Sequence, residues 1–148
     1  MKKMTYFTAE ISTMIYPTEV ESRVKELILS LCGEGCEIRE ERFSSHYGYS
    51  FRVLTCTLSG EPAESLLRRI ICSLDRFDLI SLLENLDSHV EGRNLYIRLS
   101  KQDLALGRFK LYRGDPGGYL RLRFLLRISG SDRIREEMMR VGEGCTQT

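Results

Sequence analysis

Residues 119–127, YLRLRFLLR, decide how the rest of the chain is read. Leu120, Leu122, Phe124 and Leu126 recur at every second position, and Tyr119, Arg121, Arg123, Leu125 and Arg127 fill the gaps. A period of two marks an extended strand, whose successive side chains leave on opposite faces. One face of this strand is apolar and suits a core; the other is mainly cationic and aromatic. The same split recurs upstream. In residues 94–99, Leu95, Ile97 and Leu99 oppose Tyr96 and Arg98, and in residues 108–113, Phe109 and Leu111 oppose Arg108, Lys110 and Tyr112. Residues 101–106 have room for one helical turn, and GDPGG at 114–118 has the composition of a turn.

Toward the N-terminus, residues 5–16 (TYFTAEISTMIY) alternate Phe7, Ala9, Ile11, Thr13 and Ile15, a further strand ended by Pro17. Thr18 and Glu21 have the spacing of a capping box, and Val20, Val24, Leu27, Ile28 and Leu31 give the following helix one apolar stripe up to Gly33. Residues 36–43 and 50–58 read as two strands joined by SSHYGYS. Pro62 suits a helix start, and Leu66, Leu67, Ile70, Ile71 and Leu74 form its buried side. A break at 75–78 separates a second stripe of Phe77, Ile80, Leu83 and Leu86, and a polar helix over 132–141 ends the fold.

The element order is therefore β-α-β-β-α-α-β-β-β-α, the split βαβ pattern of ferredoxin-like and related domains. It predicts a single α+β domain over residues 1–142, with a largely antiparallel sheet, helices on one face and a frayed tail at 143–148. A chain of 148 residues, 42% hydrophobic, suits one core. No uncharged apolar run reaches membrane-spanning length, and Glu10 interrupts the opening segment before a signal-peptide core develops. The expectation is a cytoplasmic protein with no membrane partner.

Net charge is only +1, yet residues 91–128 carry nine basic side chains against three acidic ones. A water-facing sheet surface is commonly polar, so exposed arginines alone imply no function. The sign bias goes further, because a merely solvated face mixes acids with bases. Such a face attracts phosphates, and its tyrosines can stack on unpaired bases. RNA is the expected partner, with Tyr96, Arg98, Arg108, Lys110, Tyr112, Tyr119, Arg121, Arg123 and Arg127 as contact residues. Arginine and tyrosine are also enriched at protein interfaces, so a homodimer or protein-docking module is the alternative.

Enzyme signatures are missing from the sequence. It has no GxxxxGKS loop, GxSxG elbow or HExxH pair, and Glu37, Glu40 and Glu41 are interrupted by Arg39 and Arg42. Five cysteines, an odd number in a chain with a full core, favour free thiols. Cys32 and Cys36 have the spacing of half a zinc site, but no second close pair completes it, so no cofactor is expected. HYGYSF at 46–51 falls on the third-strand position where RNA-recognition motifs carry aromatic residues, with Gly48, Tyr49 and Phe51 fitting parts of that pattern.

Two motifs, His46-Tyr47-Gly48 and Leu95-Tyr96-Ile97-Arg98-Leu99 followed by Lys101, Gln102 and Gly107, resemble archaeal predicted RNA-binding proteins described as exosome-associated. The fold of that family is similar to the ribosomal protein that docks the small RNA of the large subunit. The resemblance spans most of the chain. It implies RNA binding without catalysis, possible company with an RNA-degrading complex, and contact roles for His46, Tyr47, Lys101 and Gln102. Lys101 would meet a phosphate; Gln102 would meet a base edge, unless it caps the helix start. Ser100 stands where the family often has an acidic residue, and Tyr49-Ser50 where Asn-Pro often follows.

Overall fold

The computed structural model describes residues 8–33, 36–44, 46–48, 50–114 and 117–145. Among them, one antiparallel sheet holds β1 (Thr8–Ile15), β2 (Ile38–Ser44), β3 (Ser50–Ser59), β4 (Val90–Glu91), β5 (Asn94–Ser100) and β6 (Tyr119–Leu125), in the order β2-β3-β1-β6-β5-β4. The helices are α1 (Glu21–Cys32), α2 (Glu61–Ser73), α3 (Arg76–Glu84), α4 (Lys101–Ala105) and α5 (Ser131–Gly144). β3 lies antiparallel between β1 and β2, which is the split βαβ arrangement. The α+β class, the single domain and the antiparallel sheet are as expected from the alternation.

Burial follows that alternation. Ala9, Ile11, Leu54, Cys56, Leu95, Ile97, Leu99, Leu120, Leu122 and Phe124 are buried on one face. They join one core with Val24 and Ile28 of α1, Leu66, Ile70 and Ile71 of α2, and Ile134 and Met138 of α5. Their neighbours Glu10, Ser12, Tyr96, Arg98, Arg121 and Arg123 lie on the other face, half-buried or exposed. No described helix is long and apolar enough to cross a membrane.

The structure departs from the sequence expectation in several places. Residues 108–113 do not form a strand; only Leu111 makes a bridge, to Leu99. The sixth strand is instead β4, whose two residues are too few to carry a period. α1 begins at Glu21 with Val20 as its cap, and no side chain caps it. The expected capping box fails, and the neighbouring Glu19 is engaged elsewhere, accepting from the Tyr16 amide at 2.8 Å and from Lys101. Arg52, at the rim of the helix side, pairs with Glu21. Bonds from Lys25 and Arg52 hold the Glu21 carboxyl below its ordinary range.

α5 runs past residue 141 to Gly144. The cysteines correct the free-thiol expectation: Cys36 pairs with Cys56 and Cys72 with Cys145, leaving Cys32 as the free thiol. Their α-carbons are 6.6 and 5.4 Å apart, across 20 and 73 residues of chain, a proximity that spacing alone does not reveal.

Phe124 is fully buried where β6 meets the helices. Phe124→Ala is expected to cost about 3–5 kcal/mol of unfolding free energy, read from the shift of a denaturant midpoint.

Candidate nucleic-acid interface

β5 and β6 pair with Tyr96 opposite Arg123, Arg98 opposite Arg121, and Ser100 opposite Tyr119. Directly opposed side chains stand on the same face of a sheet, so the register brings two guanidinium groups together. Each leans diagonally onto a ring. Arg98 lies over Tyr119 and Arg121 over Tyr96, both at 4.9 Å from the centroid. Tyr112 packs against Tyr119, with centroids 4.8 Å apart. Stacking guanidinium on tyrosine spreads the charge over a broad, partly apolar surface.

Charge on this wall is only partly neutralised. Glu10, reaching across from β1, is 3.6 Å from Arg123. Among the described residues, no carboxylate lies within ion-pair distance of Arg98 or Arg121.

The edge of β5 is covered by β4 at one end and by residues 110–112 at the other. Ser100 donates its amide to the Lys110 carbonyl at 2.9 Å, and Tyr112 donates to the Arg98 carbonyl at 2.9 Å. Between these covers opens a cavity of about 720 Å³, lined by Tyr96, Arg98, Arg121, Tyr112 and Arg113 with Ser81, Ser88, His89 and Glu91. Its size suits a nucleotide-sized group. His89 holds its place through Nδ1, 3.0 Å from the Tyr96 carbonyl oxygen.

Asp78 fixes the segment that carries Tyr112. It is buried on α3, its Oδ2 accepts from the Leu111 amide at 3.0 Å, and its Oδ1 pairs with Arg113. Sequence reading missed Ser81, Asp78 and His89, because nothing local ties α3 to residues 108–113. The acid Asp78, at the expected break before the apolar stripe, was the available signal.

The remaining expected contact residues fall elsewhere. Arg108 and Lys110 line a separate groove with Arg69 and Phe109, and Arg108 is 3.8 Å from Asp103. They separate from the wall because the Arg108 amide is bonded to the Asp103 carbonyl at the end of α4, and the segment meets β5 only at the single Leu99–Leu111 bridge instead of running beside it as a strand. Arg127 is exposed beyond the end of β6. Lys101 is 4% exposed; its ammonium donates to the Met14 carbonyl at 2.6 Å and to Glu19 at 2.9 and 3.1 Å. It serves the fold internally and is not displayed to solvent.

Gln102 is exposed on α4, while the cap of that helix is Ser100, whose Oγ accepts from the Asp103 amide at 3.2 Å. His46 and Tyr47 are exposed at the β2–β3 turn, separated from β5 by β3, β1 and β6. Phe51 stacks on Phe43 at 5.5 Å on that side of the sheet, and Tyr49 lies outside the described residues. Among the expected residues, the structure brings together Tyr96, Arg98, Tyr112, Tyr119, Arg121 and Arg123.

An RNA-binding family model matches residues 8–125, from β1 to the end of β6. The chain belongs to that RNA-binding family. No curated protein matches it. Solved archaeal structures share the fold. A DUF54 protein from Archaeglobus fulgidus is 22% identical with a TM-score of 0.75, covering 95% of this chain and 99% of that one. One from Sulfolobus solfataricus is 24% identical with a TM-score of 0.73, covering 93% and 98%. A UPF0201 protein from Methanococcus jannaschii is 17% identical with a TM-score of 0.62, covering 88% and 91%.

Replacing Asp78 with alanine should leave the Leu111 amide and Arg113 without their buried acceptor. The expected loss is about 1–3 kcal/mol of stability, with faster hydrogen exchange at Leu111 and Tyr112 than at Leu122.

Proposed function

We propose that the protein binds RNA without catalysis, using the wall formed by β5, β6 and Tyr112. Arg98 and Arg121 take phosphates, and unpaired bases stack on Tyr96, Tyr112 and Tyr119. The observation that carries this reading is the Arg98–Arg121 juxtaposition. Like charges placed directly opposite each other on a sheet are destabilising unless a counter-charge arrives, and no described carboxylate supplies one. Membership of the RNA-binding family supports RNA as the polyanion that does. Arg123 is assigned a weaker role because Glu10 already neutralises part of its charge. The resemblance of residues 95–102 to exosome-associated proteins supports a place beside an RNA-processing or RNA-degrading complex.

The test is a salt-dependent RNA-binding titration. Arg98→Glu combined with Arg121→Glu should abolish retention of a single-stranded RNA while leaving the unfolding midpoint little changed. Neutral replacement by glutamine should lower the slope of log affinity against log salt by about 1.4, at roughly 0.7 per lost phosphate contact. Lys110→Glu, away from the wall, should alter binding far less. Equal binding by the double glutamate variant would refute the assignment. A change in sedimentation mass in that variant, with no RNA binding by the native chain, would favour a protein interface instead.

A further inference from the structure

We propose that Cys32, Cys36 and Cys56 form a three-thiolate site for a soft monovalent cation of the copper(I) class, available when the Cys36–Cys56 bond is reduced. The three sulfurs come from three separate places. Cys32 is the last residue of α1, Cys36 stands in the connection to β2, and Cys56 projects from the buried face of β3. Their Sγ atoms all lie within 4.8 Å of one another. The pairing of Ile38 with Cys56 holds the start of β2 against β3, so the convergence is set by sheet register.

Cys32 and Cys36 are half of the metal pattern legible in the sequence. The missing member is Cys56, twenty residues beyond Cys36, which spacing rules do not associate with it. Among the described residues this is the one cluster of three or more histidine, cysteine or acidic side chains with metal-binding proximity. No described imidazole or carboxylate belongs to it. Three sulfur donors without a fourth oxygen or nitrogen suit a soft, three-coordinate cation better than zinc, which takes four ligands in structural sites. The Arg69 guanidinium lies near enough to Cys32 to act on its thiol electrostatically. Arg69 is held there by donating to the Ser30 carbonyl at 2.6 Å, where it also offsets negative charge on a three-thiolate complex.

Oxidation state gates the site. A dithiol reductant delivers two electrons and two protons to the Cys36–Cys56 bond, giving two thiols, while the reductant itself closes to a disulfide. The cation then displaces thiol protons and forms sulfur–metal bonds with no further electron transfer. Cys72 and Cys145 form a disulfide outside the three-sulfur cluster and serve as an internal control.

The experiment reduces the full chain with a phosphine, removes the reductant without air, and titrates copper(I) against a chromophoric chelator. Uptake of about one equivalent is expected, with a thiolate-to-copper absorption band; the untreated disulfide form should take up none. Cys32→Ser should lose the band, and Cys72→Ser with Cys145→Ser should keep it. Alkylation of the native reduced chain, mapped by mass spectrometry, should find Cys32, Cys36 and Cys56 protected together by copper(I). Protection of Cys36 and Cys56 without Cys32, or of none of the three, would overturn the proposal even if the serine variant fails to fold.

Discussion

The constraint on which the surface depends is the register between β5 and β6 on a sheet with helices over only one face. Once Ile97 takes its place opposite Leu122 in the core, Arg98 and Arg121 have nowhere to go but side by side on the open face. A slip of one residue would relieve the two charges but would drive the whole apolar set of a strand into water. Core burial outweighs charge repulsion, since each buried leucine or isoleucine is worth about 1.5–3 kcal/mol and an exposed charge pair far less. The repulsion persists as a surface property that an anion can relieve, and the tyrosines beneath the guanidinium groups soften it meanwhile.

Two buried polar groups shape what surrounds that wall. Lys101 ties the start of α4 to the Met14 carbonyl and to Glu19, joining the end of β1 to the chain leaving β5. Gly118 is needed at the same junction: its φ is +81°, and a β-carbon there would come within 2.8 Å of the Tyr16 hydroxyl. Asp78 performs the parallel service at the other side, docking Leu111 and Arg113 so that Tyr112 meets Tyr119. Removing either partner of such a contact leaves a buried group unsatisfied, so these residues hold the edges of the wall without belonging to its binding surface.

The parts legible in the sequence were those governed by period two or by the stripes of α1 and α2; on α3 the expected Phe77 and Ile80 are exposed, and Asp78 and Leu82 are buried instead. β1, β3, β5 and β6 follow from alternation, and with them the placement of Tyr96, Arg98, Tyr119, Arg121 and Arg123 on one face. Residues 108–113 alternate equally well, yet they cross the end of β5 because Asp78, more than thirty residues earlier, captures the backbone at Leu111. Lys101 looked like a displayed cation because its acceptors, Met14 and Glu19, are over eighty residues away. The sulfur cluster was hidden for the same reason: local patterns report which face a residue takes, and long-range pairing decides what it meets there.

Ultraviolet cross-linking of a uridine-containing single-stranded RNA to the native protein, with adducts mapped to residues by mass spectrometry, tests the account most directly. Adducts are predicted on Tyr96, Tyr112 or Tyr119. Adducts confined to Tyr47 and the Phe43–Phe51 side of the sheet, or to the helical face, would contradict it.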